Sequence, residues 1–451
     1  MERIAQLRQL GLFDARVPRY TSYPTANHFS PDVGPDDMTR WLSSVPPDSE
    51  ISVYLHIPFC RRLCWFCACR TQGTSTAKPV AGYLETLKRE LALVADILPQ
   101  GVRIGRIHWG GGTPTLLTPG MIRDLAVSVA TTMPMAEMPE FSVEIDPSEI
   151  DEERIDALAD CGMTRASIGV QDFDPEIQKT IGRPQSFEVT KTTVDALRSR
   201  GIESLNIDLL YGLPHQSNER ISDSVQKVLT LSPDRVALYG YAHVPWMARR
   251  QSMIPTEALP APEARLDLFE TAQRLFRWDG YSEIGIDHFA RPDDGLATAA
   301  KAGNLRRNFQ GYTDDTYDTL VAFGASAISR FPGGYAQNAP ATSKYQERVR
   351  DGQLATSRGH VFSDEDILRG AIIESLMCEF SVDFDKIAKR TNRTPEEVAA
   401  RLEGIDTAFP GMIARDHAGI VIHRYAQELT RMIARVVDNY SSTSEGHSLA
   451  I

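Results

Sequence analysis

The chain has 451 residues, 42% hydrophobic and 24% charged, enough for one large domain, a smaller companion and a sizeable core. Its formal net charge of -12 argues against nucleic-acid phosphates or anionic membranes as principal partners. The first ten residues mix charge into every turn and leave no signal-peptide core. No stretch is apolar enough to cross a bilayer, so a cytoplasmic protein is expected.

Residues 1–47 begin with a short helical pattern and continue as an arm rich in Tyr, Pro and Ser, in which Arg19, Tyr20 and Tyr23 stand out. Such an arm is either a strap lying on the surface or a flap that brings Arg19 to a carboxylate. Next comes the apolar run Ile51–Ile57, closed by Pro58, which reads as a strand. It delivers a loop holding four of the six cysteines: Cys60, Cys64, Cys67 and Cys69. Thiolates gathered on one loop need a cation or oxidation to hold them, so an iron–sulfur cluster, zinc and disulfides are the alternatives. Disulfides are rare without a secretory context. Structural zinc usually takes two Cys-x2-Cys pairs from separate loops. Here the gaps are three, two and one residues, and Cys161 and Cys378 stand alone. Cysteines at the first two gaps can wrap one corner of a cubane and leave its fourth iron open, which favours iron–sulfur over zinc and zinc over a non-metal pairing.

Over 48–340, short apolar runs alternate with amphipathic ones. Expected strands are Ile51–Ile57, Arg106–Trp109, Phe141–Ile145, Arg165–Val170, Ser204–Ile207, Arg235–Tyr239 and Ser282–Ile286. Expected helices include Tyr83–Leu98, Met121–Met133, Phe187–Ser199 and Ser222–Leu231. The alternation predicts an α/β fold with a parallel sheet, curved or closed into a barrel. Polar or flexible residues follow each strand: the cysteine loop, Gly110-Gly111-Gly112-Thr113, Glu144 and Asp146, Gln171 and Asp172, Asp208, His243, then Asp287 and His288. In a parallel barrel these ends share one face, where active sites form. Asp146 and Asp172 serve equally well as helix caps. The glycine run lacks P-loop or dinucleotide spacing and is either a tight turn or a place where backbone approaches a ligand.

From 341 to 451 the pattern turns mainly helical. Ser363 and Thr394 head capped helices, and Met412–His423 reads as a hairpin turning at Asp416 to Gly419. Helices with a hairpin suggest a winged-helix-like domain. Its acidic balance points to a structural lid rather than a DNA reader. The tail 441–448 is expected to be mobile.

Cys60-x3-Cys64-x2-Cys67 resembles the radical S-adenosylmethionine (SAM) signature, and the longer string through Cys69 resembles the oxygen-independent coproporphyrinogen III oxidase family. The resemblance runs nearly end to end, through 18–26, 108–114, 169–173, 206–214, 287–294 and 308–313. It implies a partial parallel (β/α) barrel of radical SAM type, a [4Fe–4S] cluster on Cys60, Cys64 and Cys67, and two SAM molecules. Tyr54, Gly111, Glu144 and Ile328 match positions at the cluster-bound SAM. Phe66, Gly112, Thr113, Gln171, Arg183, Asp208 and Ala242 match positions at the second. Cys69, Glu144, Phe309 and Gln310 are the implied catalytic or substrate-side residues. For Cys69 a part in catalysis and simple packing beside the cluster stand level. Arg19, Arg291, Arg306 and Arg307 are candidates for the propionate rim. The segment Thr313–Thr319 departs from the Thr-rich family version, which loosens what that loop contacts. The implied reaction is decarboxylation of two propionates of coproporphyrinogen III to vinyl groups by a SAM-derived deoxyadenosyl radical, giving protoporphyrinogen IX. The implied partners are that tetrapyrrole and an electron donor such as flavodoxin or ferredoxin, with the chain a monomer. A haem chaperone of the same family and an anaerobic haem-modifying enzyme are the rival readings.

Overall fold

In a computed structural model, which describes residues 2–440 and 448–451, the apolar runs assemble into one twelve-stranded sheet. Its strands in chain order are β1 Glu50–Ile57, β2 Arg103–Gly111, β3 Met135–Ile145, β4 Arg165–Gln171, β5 Ser204–Tyr211 and β6 Arg235–Gly240. They continue with β7 Ser282–Ile284, β8 His288–Ala290, β9 Leu320–Phe323, β10 Ile328–Phe331, β11 Gly334–Asn338 and β12 Thr356–Val361. In space they lie as β12-β11-β10-β9-β1-β2-β3-β4-β5-β6-β8-β7. The seven from β9 to β6 are parallel. The two edges are distinct strands, so the barrel is partial and open.

Period-two alternation explains how the sheet is dressed. Along β4 and β5, Ala166, Ile168, Val170, Leu205, Ile207 and Leu209 are buried in the main core. Their neighbours turn the other way and carry polar groups: Asn206 Nδ2 donates to Ser167 Oγ at 2.9 Å and to Asp208 Oδ1 at 2.8 Å. The helices Lys78–Ala95, Pro119–Thr132, Glu152–Asp160, Phe187–Arg198 and Asn218–Thr230 follow successive strands and bury their apolar stripes in that core.

Three expectations change. Ser282–Ile286 is not a parallel strand. Its chain turns at Gly285 (φ 56°), and β7 and β8 pair antiparallel on either side. A side chain at Gly285 would start 2.0 Å from the Tyr312 ring, so the turn needs glycine. Second, the sheet carries on past residue 340 to Val361, because β12 pairs with β11, and the helical unit begins at Asp364. Third, the arm does not lie on the surface as a strap. Leu7, Leu12, Phe13, Val17, Tyr20 and Tyr23 share a buried core with Leu368, Ile372, Leu376, Ile433 and Val437.

The helical unit otherwise follows the sequence. Ser363 and Thr394 cap Asp364–Glu379 and Pro395–Ala400, each in a reciprocal capping box. Ile413–Arg415 and Gly419–Ile422 form the expected hairpin, with Ser381–Asp383 as a third strand. Of the tail expected to be mobile, 441–447 lie outside the described residues. Ser448 is held, its carbonyl accepting from Val17 N at 3.3 Å.

Candidate active site at the strand ends

The cysteine loop leaves β1 and is pinned from several sides by backbone. Gly112 N donates to Ile57 O at 2.9 Å and Thr113 N to Phe59 O at 2.8 Å. Thr74 N donates to Cys60 O at 3.0 Å, and Trp65 N reaches Ile181 O at 2.9 Å. The Gly110–Thr113 run therefore lies along this loop, and its lack of side chains is what allows the approach. A Cβ on Gly111 (φ 110°) would start 2.4 Å from the His56 ring.

Cys64 is buried, Cys60 and Cys67 are half-buried and Cys69 is exposed. Arg183 points Nη1 at Cys64 Sγ, 3.5 Å away, and binds Asp146 at 3.2 Å and Gly169 O at 2.9 Å. The hydrogen bond to Cys69 pulls the Cys67 thiol down to about 6, with Arg250 and Arg183 adding to the effect against burial. Cys69, on the giving side of that bond, is pushed well up. Among the described residues no three His, Cys, Asp or Glu side chains converge tightly enough for a single ion. Three thiols from one loop, with guanidinium charge beside them, fit a multi-iron group held by thiolates.

Tyr54 and Glu144, from β1 and β3, stand next to this loop. The Tyr54 hydroxyl lies 3.0 Å from His56 Nδ1, and its ring stacks on His108 with centroids 5.8 Å apart. Glu144 accepts from Gly111 N at 3.0 Å and lies 3.3 Å from His108 Nε2. Burial works to raise its carboxyl, but the His108 bond and charge, the Gly111 N–H and His56 hold it below the ordinary range. Asp208, deeper along β5, is driven up to about 6, first by burial and then by the charge of Glu144, against the Asn206 bond. Arg183 and His288 are near enough to pull it down as well. Gln171 holds a left-handed conformation (φ 71°) at a break in register between β4 and β5, beside Gly169.

Phe66 and Ala242 are brought together by a residue that belongs to no recognisable motif. Buried Gln251 donates through Nε2 to Phe66 O at 2.7 Å and Ala242 O at 3.0 Å, while its Oε1 accepts from Val244 N at 2.6 Å. One amide thus ties the cysteine loop to the loop after β6. His56 and His108 were likewise missed; their only signal was a place on strands flanking the motif.

The remaining expected residues sit on other elements of the fold. Ile328 opens β10, on the far side of β9 from β1. Phe309 and Gln310 sit at the tip of a hairpin, with the Tyr239 hydroxyl donating to Gln310 O at 3.1 Å. Asp146 and Asp172 do serve as turn caps: Asp146 accepts from Ser148 N, and Asp172 takes bonds from Asp174 N, Gln216 and Ser224. Of the four rim arginines, Arg306 pairs with Glu374 at 3.6 Å, and Arg291 lies over the Tyr281 ring and donates to Pro233 O, ahead of β6. Arg19 and Arg307 both line a cavity beside the strand ends.

Residues 54–228 match the model of the Radical SAM superfamily. The chain is 60% identical over 451 residues to the oxygen-independent coproporphyrinogen III oxidase of Paracoccus denitrificans, covering 100% of both. It is 54% identical over 445 residues to the protein of that name from Cereibacter sphaeroides, covering 99% of each. Coproporphyrinogen III oxidase from Escherichia coli, described as a radical SAM enzyme, aligns in structure with a TM-score of 0.89 at 35% identity. That alignment covers 95% of this chain and 100% of the other.

Proposed function

The chain belongs to the oxygen-independent coproporphyrinogen III oxidase family of the radical SAM superfamily, and on that footing we propose that it converts two propionates of coproporphyrinogen III to vinyl groups without molecular oxygen, giving protoporphyrinogen IX in haem biosynthesis. The observation that carries the reading is the full-length kinship together with a polar mouth in which Glu144 interacts with Tyr54 and Asp208, and Arg183 with Asp208, Cys64 and Cys67.

In this reading Cys60, Cys64 and Cys67 hold a [4Fe–4S] cluster. When bound, cluster and SAM supply a carbon-centred radical able to take a hydrogen atom from an unactivated C–H bond. Each propionate then gives up one hydrogen atom to that radical, one electron to an external one-electron acceptor, and carbon dioxide. The protein's share is placement and exclusion of water. Glu144, kept ionised by His108 and the Gly111 N–H, accepts hydrogen bonds from ligand hydroxyl or ammonium groups. The glycine run lets backbone approach a methionine-like end closely. Asp208 and Arg183 are suited to the ammonium and carboxylate of a second SAM, alongside Phe66, Gly112, Thr113, Gln171 and Ala242. Ile328 forms part of the wall at the first SAM. Phe309 and Gln310 come to the substrate from their hairpin, and Cys69 stands next to the cluster ligands as a thiol able to donate a proton or hydrogen atom.

We further place the protein in the cytoplasm as a monomer that receives electrons from flavodoxin or ferredoxin. No described helix is long and apolar enough to cross a membrane. The test is anaerobic: reconstituted protein, SAM, reductant and coproporphyrinogen III, with mass spectrometry of the tetrapyrrole. Loss of two carboxyl groups with matching 5′-deoxyadenosine, abolished by Cys60→Ala, supports the reading. A tetrapyrrole that keeps all four propionates rules it out.

A further inference from the structure

Between the helix Pro262–Trp278, the N-terminal arm and the C-terminal unit lies a cavity of about 370 Å³. Its outer part is lined by paired charges: Arg3 with Glu270 and Glu428, and Arg277 and Arg424 with Glu283. The buried part is different. Arg265, Arg307 and Arg431 line it together with Arg19, and Asp287 is the acid among them. All four guanidiniums donate to main-chain carbonyls, Arg307 through Nη2 to Arg19 O at 3.4 Å, and Arg307 alone also has an acid within reach. Arg19 donates to Gly240 O at 2.6 Å, Arg265 to Tyr241 O at 2.8 Å and Arg431 to Val17 O at 2.5 Å and Ala450 O at 3.0 Å.

Arg307, its side chain only 5% exposed, lies over the Tyr312 ring at 4.4 Å, with Asp287 Oδ2 3.9 Å away. Asp287 is already engaged by His288 Nδ1 at 2.6 Å. Among the described residues Nε and Nη1 of Arg307 and Nε of Arg265 are buried with no hydrogen-bond partner. Guanidinium nitrogens kept from water and from acids are costly unless an anion is meant to meet them. A planar donor fork matches a carboxylate in particular. Tyr239 links the cavity to the active site, since it lies within electrostatic reach of Asp208 on one side and of Asp287, Arg307 and Arg19 on the other.

We propose that this cavity is a polycarboxylate subsite, in which the unpartnered nitrogens of Arg307 and Nε of Arg265 meet propionates of the tetrapyrrole that are not reacting while Arg19 and Arg431 supply further positive charge. The inference rests on the substrate class argued above and gives that substrate an orientation. Several fixed cations at one end anchor the charged rim, leaving one propionate free to reach the cysteine loop.

The test is equilibrium binding of coproporphyrin III, the fluorescent oxidised tetra-acid, and of its tetramethyl ester to the full-length protein. Expected are binding of the acid, at least roughly tenfold weaker binding of the ester, and a loss of about tenfold or more in Arg307→Gln, the usual effect of removing a charge-assisted bond. Arg307→Lys should recover only part of it. Arg19→Gln, at a half-buried position, gives an independent variant should Arg307→Gln melt early. Unchanged affinity in Arg19→Gln and in a folded Arg307→Gln overturns the subsite. If the protein ignores coproporphyrin III but binds benzenehexacarboxylate in an Arg307-dependent way, the subsite stands and the tetrapyrrole reading falls. Binding of neither compound overturns the subsite as well.

Discussion

Asp208 shows at the residue scale what an acid enclosed among polar strand ends costs the fold. Its folded-state value, about 6, lies above the ordinary 3.8, so the unfolded chain gives up the proton first. Stability contributed at low pH is therefore lost as pH rises from about 4 through 6, and the ionised, buried group carries a penalty of about 3 kcal/mol above that. Asp208→Asn should raise the melting temperature of the ligand-free protein at pH 8 and leave it nearly unchanged at pH 4.5. An equal effect at both would show that the burial is harmless. The same variant should weaken SAM binding at pH 8 and abolish its loss as pH falls through 6, because an ammonium group needs the ionised form. Gln251 is the opposite case, structural and uncharged. Gln251→Ala orphans Phe66 O, Ala242 O and Val244 N, each worth about 1–3 kcal/mol when buried and unmet. Faster proteolysis within 60–75 and poorer iron retention should follow; unchanged cleavage would mean that the loop needs no such tie. Sequence could select Cys60, Cys64 and Cys67 because their spacing is local. It could not select Gln251, whose partner Phe66 lies 185 residues away and whose own neighbours carry no pattern.

At the scale of elements, the β2 end and the cysteine loop are one construction. Gly111→Ala places a Cβ against His56 in a left-handed backbone, a cost of about 1–3 kcal/mol before any repacking. We expect a lower urea midpoint and a parallel drop in iron incorporation. Normal incorporation with normal stability would remove Gly111 from the site's framework. The parallel strands were legible because runs such as Ile51–Ile57 and Ser204–Ile207 are β-branched or leucine-rich and end at polar turns. Those that were not legible are short, like Leu320–Phe323, or polar, like Thr356–Val361, and their pairing rather than their composition makes them strands. Ser282–Ile286 misled for a third reason: the run looks continuous, but Tyr312, far along the chain, occupies the space where Gly285 must bend.

Across the whole molecule, the arm and the C-terminal helices are one body. Leu12 is fully buried among residues from both, so Leu12→Ala should cost about 2–5 kcal/mol in chemical denaturation. Removal of residues 1–17 should leave a protein that aggregates or melts well below the parent; an unchanged melt would return the arm to the status of a strap. Composition alone could not join these ends, because the arm reads as polar and aromatic and its partners lie more than three hundred residues away.

That joining also sets an order of events during synthesis. The arm is made long before its packing partners around Ile433 and Val437, and at about 5–20 residues per second the interval is roughly 20–90 s. Late in that interval the cysteine loop and the parallel strands behind it are already made, while the arginine-lined cavity still lacks its C-terminal wall. The newborn chain thus passes through a stage in which its thiols are assembled and the molecule has not yet closed around them. Iron and sulfide delivered at that stage meet a half-built vessel, and the final helices complete it afterwards.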